Sequence, residues 1–353
     1  MNITTLKSLN LKQKPPVENL GFGRFFTDHM FQMQYNQEQG WHAPMIKPYE
    51  PLELDPAAMV LHYGQAVFEG MKCYLSKEGK LLLFRPKANF KRMNISDERL
   101  CIPALDEDFA LKALIELIKI DKEWVPNAPG TSLYIRPFVI STEPCVGVRP
   151  AKSYMFIIIL SPVGPYYPEG FKPVKIYVED EYVRAVRGGV GFTKAAANYA
   201  VSLKGQIKAY DAGYSQVLWL DGLERKYVEE VGAMNVFFII GDELITPSLE
   251  GTILPGITRD SIITLAKKDG FSVVERRITI QELYDASERG SLKEAFGTGT
   301  AAVISPIGEF KWGKKVFKVA DGNVGPIAQK LYDKLTGIQY GRYHDDMGWV
   351  FEV

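Results

Sequence analysis

Lys194 is the residue whose setting points to chemistry. It follows Arg187-Gly188-Gly189-Val190-Gly191-Phe192-Thr193 and precedes Ala195-Ala196-Ala197-Asn198-Tyr199. Glycine lets a ligand approach the backbone closely, and the alanines favour helix. The pattern predicts a lysine at a loop-to-helix junction, facing whatever the glycine loop admits. An amine held there condenses with a carbonyl, which no other side chain does well.

Other groups extend the list. Glu229 and Glu230 end a strand that leads through Val231-Gly232-Ala233-Met234-Asn235 into the apolar run Val236 to Ile240. Two adjacent acids cannot both face a core, so one is expected to point into water and the other toward a partner. Gly251 to Arg259 places a Pro-Gly turn before a helix, whose first amides and dipole favour a phosphate. Phe296-Gly297-Thr298-Gly299-Thr300-Ala301-Ala302 is a second loop rich in amides and hydroxyls, and it lacks the lysine of a P-loop. Arg92, on a helix opened by Pro86, is an anion-binding candidate. Tyr134 and Arg136 alternate onto one face of a strand and can grip a carboxylate. Pyridoxal phosphate needs this set. Its aldehyde needs an amine, its ring nitrogen an acid, and its phosphate amides, hydroxyls and an arginine.

The elements that must hold these groups follow from periodicity and punctuation. A length of 353 residues predicts two domains. Residues 1 to 20 read as a loose arm, with order beginning near Phe22. Lys80 to Arg85 and Ser132 to Ser141 read as strands, and Glu107 to Trp124 as a helix capped by Asp106 or Asp108. Ser153 to Leu160 is an apolar strand, and Ser161 to Gly170 breaks all periodicity with three prolines and two glycines. The domain boundary is placed there. Beyond Lys194 a helix is expected to Asp211, ended by Gly213. Strands Ser215–Leu220 and Leu223–Glu230 are expected to flank an Asp221-Gly222 hairpin turn. Helices to Lys268, over Thr279 to Glu288, and over Gly325 to Leu335, started by Pro326, complete the chain.

Composition excludes several classes. Basic and acidic residues both number 42, so a footprint for nucleic acid or an anionic membrane is absent. Cys73, Cys101 and Cys145 have no C-x-x-C spacing, so neither a disulfide framework nor a zinc site is expected. The four histidines lack metal-ligand spacing. Residues 1 to 14 have no signal-peptide core, and the apolar runs are too short to span a bilayer. A cytoplasmic protein without metal is expected.

From Gly21 onward the chain resembles the branched-chain amino acid aminotransferases, pyridoxal phosphate enzymes of fold-type IV. The marks are Leu61-His62-Tyr63-Gly64, Phe68-Glu69-Gly70-Met71-Lys72, Tyr134-Ile135-Arg136-Pro137, Gly188-Gly189 with Lys194 and Asn198-Tyr199, Glu230 to Asn235, Ile253 to Arg259, and Gly297 to Ala301. The resemblance implies a mixed α+β and α/β fold. It would have a smaller N-terminal α/β domain (1–160), a linker (161–173) and a larger C-terminal domain (174–353), which is β-barrel-like, flanked by helices and binds the cofactor. It implies that Lys194 condenses with pyridoxal 5'-phosphate, that Glu230 rather than Glu229 faces the ring nitrogen, and that Tyr199 bonds the phenolic oxygen. By the same match Arg92, Ile257, Thr258 and Thr300 bind the phosphate. Thr300 and Ala301 hold the substrate α-carboxylate, with Tyr63 nearby. Phe22, Phe68, Tyr134, Arg136, Val148, Tyr166 and Ala233 line the side-chain pocket, Val148 reaching across from the second subunit of a homodimer.

The implied reaction is reversible ping-pong amino transfer between L-leucine, L-isoleucine or L-valine and 2-oxoglutarate. Two departures stand out. Arg187 and Val190 replace residues of the Pro-Gly-Gly-Thr-Gly loop of some members, and Ala302 and Ser305 stand where mammalian members carry a redox cysteine pair. D-amino acid aminotransferases and aminodeoxychorismate lyases share the lysine and glutamate logic, but they tend to be shorter and to lack an extension like residues 1 to 50. A non-catalytic protein that binds a phosphate ligand would have lost Lys194 or Glu230.

Overall fold

In the computed structural model, which describes residues 1–165 and 170–353, the chain divides into two units. One comprises 1–168, 193–197 and 337–353, and the other 169–192 and 198–336. Two segments thus leave the expected 174–353 domain, and the N-terminal unit becomes the longer one. The reason is strand pairing. Val350–Glu352 adds antiparallel to Leu81–Phe84, and Ala195 bridges Val67.

The first unit is built on a nine-stranded sheet. Ser132–Ser141 lies inside it, paired with Ser153–Val163 on one side and with Met71–Leu75 and Ala66–Phe68 on the other. Its neighbours supply a near-continuous apolar core, with Phe31, Leu133, Ile135, Phe156 and Ile158 all fully buried. Two helices pack into the same core. Pro86–Arg99 opens with Pro86, and Glu107–Ile120 is capped by Asp106, whose carboxylate accepts the Phe109 amide at 3.0 Å. Leu111, Leu114, Leu117 and Ile118 form the buried stripe of the second helix.

The N-terminal arm is docked rather than loose. Thr4–Thr5 pairs parallel with Gly40–Pro48, and the Ser8 amide donates to His29 Nε2 at 2.8 Å. The Lys12 amide donates to Asp28 Oδ1 at 2.7 Å, and Leu20 is buried. Its polar composition suggests a loose arm, but backbone amides hold it together with the Lys12 ammonium, which donates to the Thr27 carbonyl at 2.7 Å.

The second unit carries another nine-stranded sheet, six strands of which close into a barrel. The closing order is Val228–Val231, Gln216–Leu220, Val174–Glu179, Val303–Trp312, Leu292–Gly299, Met234–Ile240 and back to Val228–Val231. Closure removes the strand edges at these positions. The Asp221-Gly222 turn is wider than a two-residue hairpin, because Asp221 accepts the amides of Leu223, Glu224, Lys226 and Tyr227. That carboxylate organises a long loop, and the return strand starts only at Val228. The helix after Lys194 is broken into Ala197–Ala200 and Leu203–Asp211. At the break the Ser202 hydroxyl donates to the Tyr199 carbonyl at 2.8 Å, a local bond that competes with the helical ladder.

Candidate active site

Lys194 lies in Thr193–Ala197, a segment of the first unit that the chain reaches from the second unit and leaves back into it. Its backbone is held on both sides. The Lys194 amide donates to Ser96 Oγ at 2.9 Å, and its carbonyl accepts the Phe68 amide at 3.1 Å. The amide of Ala196 donates to the Ala66 carbonyl. The Lys194 Nζ stands 5.3 Å from the centre of the Phe68 ring. The glycine loop therefore delivers the lysine to a strand and a helix that fix its main chain, while the long side chain reaches out from a half-buried position.

The same helix carries Arg92, one turn before Ser96. Arg92 is buried and forks onto Glu69, with Nε at 2.7 Å from Oε1 and Nη2 at 2.9 Å from Oε2. Four of the expected pocket residues also meet in this unit. The Phe22 ring lies edge-on to Tyr134 at 5.0 Å, and the Arg136 guanidinium covers the Phe68 ring at 4.6 Å. Arg136 Nη2 donates to the Tyr134 hydroxyl at 3.3 Å, while its Nε is buried without a hydrogen-bond partner among the described residues. Gly70 leaves room for this arrangement. A β-carbon there would sit 2.1 Å from the Tyr134 hydroxyl. Tyr63 lies elsewhere in the unit and donates to the Val146 carbonyl at 2.5 Å, on the loop that carries Val148. Tyr166 lies outside the described residues.

The second unit holds Glu230, Tyr199, Ala233, Ile257, Thr258, Thr300 and Ala301. Glu229 and Glu230 are both buried, so neither points into water. Each has its own means of being held. Glu230 Oε2 stands 3.3 Å from Arg184 Nε, and Oε1 accepts the Leu254 amide at 2.9 Å and Asn235 Nδ2 at 3.4 Å. Burial pushes the Glu229 carboxyl up, helped by the charges of Glu230 and Asp221, against the pull of Thr252 and Arg184. Arg184 is the residue that sequence reasoning missed. It also donates to the carbonyls of Gly191 and Thr252, tying the glycine loop to the acid. The run Tyr182-Val183-Arg184 carries no motif, and only the fold shows the arginine buried.

Asn235 extends the same knot. Its Nδ2 donates to the Leu254 carbonyl at 2.9 Å, and a β-carbon on Gly256 would sit 2.0 Å from its Oδ1. Gly256 is the N-cap of helix Ile257–Lys268, and no side chain caps that terminus. Glu230 is thus linked to the run of amides that opens the helix. Ala233 is exposed in the Gly232-Ala233 turn. Thr300 and Ala301 are half-buried in the turn between Leu292–Gly299 and Val303–Trp312, and Tyr199 is half-buried in helix Ala197–Ala200.

Residues 66–310 match the family model described as amino-transferase class IV. The chain belongs to the class IV aminotransferases. A branched-chain-amino-acid aminotransferase 2 of Bacillus subtilis is 58% identical over 97% of this aminotransferase and 94% of its own length. The solved branched-chain amino acid aminotransferase of Escherichia coli superposes with a TM-score of 0.77 at 28% identity, covering 92% of this chain and 98% of its own. That of the thermophilic archaeon Thermoproteus uzoniensis, solved with norvaline, gives 0.76 at 26%, with 92% and 99% covered.

Class IV aminotransferases are in general pyridoxal phosphate enzymes, and the donor set of this chain fits that group. A lysine with a fixed main chain, a buried acid already hydrogen-bonded for charge, a helix terminus without a side-chain cap and a buried arginine are all present. Among the described residues no helix is long and apolar enough to cross a membrane.

Proposed function

We propose that this aminotransferase passes amino groups between L-leucine, L-isoleucine or L-valine and 2-oxoglutarate, in two half-reactions that use one pyridoxal 5'-phosphate. Branched-chain transamination is the activity that relatives of 54–58% identity over nearly the whole chain support. The observation that carries the chemistry is the two-sided grip on the Lys194 backbone, which fixes the point from which its side chain reaches.

Bound at Lys194, the cofactor supplies an electron sink for the charge that develops at the substrate α carbon. The Lys194 amine would move that α proton to the former aldehyde carbon of the cofactor, and in the second half-reaction would move a proton from there to the α carbon of the second substrate. Glu230, held by Arg184 and the Leu254 amide, would face the ring nitrogen and stabilise a proton there. Tyr199 bonds the phenolic oxygen. Arg92, the Ile257 and Thr258 amides and Thr300 hold the phosphate. Thr300 and Ala301 orient the α-carboxylate, beside Tyr63.

The pocket must take an apolar side chain and then a carboxylate. Phe22 and Phe68 serve the first, with Ala233 at the rim. Arg136 serves the second, since its Nε is a buried donor without a partner among the described residues. A homodimer is part of the reading, because Leu61, Tyr63, Val146 and Val148 are all exposed on segments joined by the Tyr63–Val146 bond. So is a cytoplasmic location, which the three free cysteines favour.

The visible absorption of the purified protein tests this. A cofactor band that L-leucine bleaches and 2-oxoglutarate restores is expected. A band that ignores L-leucine but responds to D-alanine would move the assignment to the D-amino acid enzymes. A protein that takes up no pyridoxal phosphate would end the reading of Lys194.

A further inference from the structure

One fully buried acid has no task in the reaction above. Glu69 receives four N–H donors: Arg92 Nε at 2.7 Å, Arg92 Nη2 at 2.9 Å, Asn89 Nδ2 at 2.8 Å and the Gly70 amide at 3.1 Å. A packing role alone would be served better by an apolar residue, because a buried ion pair rarely outperforms one. The connections around it point to another purpose. Ser96 Oγ, which accepts the Lys194 amide, also donates to the Arg92 carbonyl at 3.0 Å. From the other side, Phe68, the chain neighbour of Glu69, donates its amide to the Lys194 carbonyl. Arg92 and the Lys194 backbone are therefore tied together twice, once through the helix and once through the segment that bears Glu69.

We propose that Glu69 is a positioning residue whose charged carboxylate clamps the Arg92 guanidinium in the orientation from which it binds the cofactor phosphate. The clamp follows from shape. A guanidinium is planar, and a carboxylate forked onto its Nε–Nη2 edge fixes where its other N–H groups point. The charge follows from the surroundings. Burial pushes the Glu69 carboxyl up, but Arg92, Lys194 and Asn89 together hold it below the ordinary range. The other acid in the cluster behaves oppositely. Asp97 is fully buried, neither of its carboxyl oxygens has a partner among the described residues, and burial with the Glu69 charge drives its carboxyl well above the ordinary range. The groups around Glu69 are thus the Arg92 cation, the Lys194 amine, the Asn89 amide and the Asp97 carboxyl.

This inference rests on the proposed function, and its test separates the two. Pyridoxal phosphate is titrated into the cofactor-stripped full chain as wild type, Glu69→Gln, Arg92→Ala and the double variant. Glu69→Gln is expected to weaken the dissociation constant about tenfold or more, and the double variant to bind no worse than Arg92→Ala. A residue that acted only as a charge would do the reverse, since removing an anion near a phosphate tightens it.

Glu69→Asp keeps the charge at shorter reach. It should bind pyridoxal phosphate more tightly than Glu69→Gln and more weakly than wild type, and it carries the test if Glu69→Gln fails to fold. Additive losses in the double variant, unchanged or tighter binding by Glu69→Gln, or a Glu69→Asp variant that binds no better than Glu69→Gln would overturn the proposal. A wild-type chain that binds no pyridoxal phosphate would overturn the function and this role together.

Discussion

Arg184 and Arg187 lie three residues apart in one loop, and each faces a glutamate, yet their removal should differ by orders of magnitude. Arg184 has a side chain 6% exposed and faces Glu230, 5% exposed, at 3.3 Å. Arg187 has a side chain 66% exposed and pairs with Glu250 at the surface. Arg184→Met keeps most of the volume and removes the charge. It takes away the cation beside the buried Glu230 carboxylate and the donor to the carbonyls of Gly191 and Thr252. Breaking a buried pair in this way costs about 3–5 kcal/mol, which is roughly two to nearly four powers of ten in the unfolding constant. Arg187→Met loses a screened surface pair worth about 0.2–1 kcal/mol.

Urea unfolding followed by circular dichroism reads both. Repeating Arg184→Met in a Glu230→Gln background should recover about 1–3 kcal/mol, since the stranded charge is then gone. Equal losses for the two arginines, or no recovery in the Glu230→Gln background, would refute the argument that burial gives the Arg184 pair its weight.

Three further outcomes are expected. Arg136→Ala should raise KM for 2-oxoglutarate well above any change for L-leucine, in steady-state assays of each half-reaction, because only the former presents a side-chain carboxylate to the buried Nε; equal losses would sink that division. Burial pushes the Cys73 thiol up to about 12, so under native conditions a thiol reagent should label the exposed Cys101 and the half-buried Cys145 while sparing Cys73 until the chain unfolds. The raised carboxyl of Glu229 means the folded chain keeps a proton that the unfolded chain releases. Wild-type stability should therefore fall as pH climbs above the ordinary value near 4.5, and Glu229→Gln should flatten that slope in melts across the range.

Much of the local structure was legible because its causes are local. Strand Ser132–Ser141 and helix Ile280–Glu288 with its Thr279 cap follow from apolar period and punctuation, and so does the Pro86 start of helix Pro86–Arg99. The Gly-Lys junction, the Glu230 strand end and the Pro-Gly turn before Ile257 are likewise short motifs whose chemistry is carried by adjacent residues. The errors were of two kinds. The arm over residues 1–20 and the Asp221 loop were misread because their organising bonds run from backbone amides to acceptors that side-chain polarity does not announce. The pair of acids was misread because the cation that allows Glu230 to be buried, Arg184, is distant in sequence.

The sequence by itself therefore determined which residue types could do the chemistry, and which segments would be helix or strand. Tertiary structure alone decided how those groups are neutralised and held. Glu69 meets Arg92 on helix Pro86–Arg99, Arg184 meets Glu230 on strand Val228–Val231, and Val350–Glu352 returns to the sheet of Leu81–Phe84. Each of these joins residues far apart along the chain. Such contacts leave no periodic trace, and they are chosen by the need of every buried charge and every strand edge to find a partner.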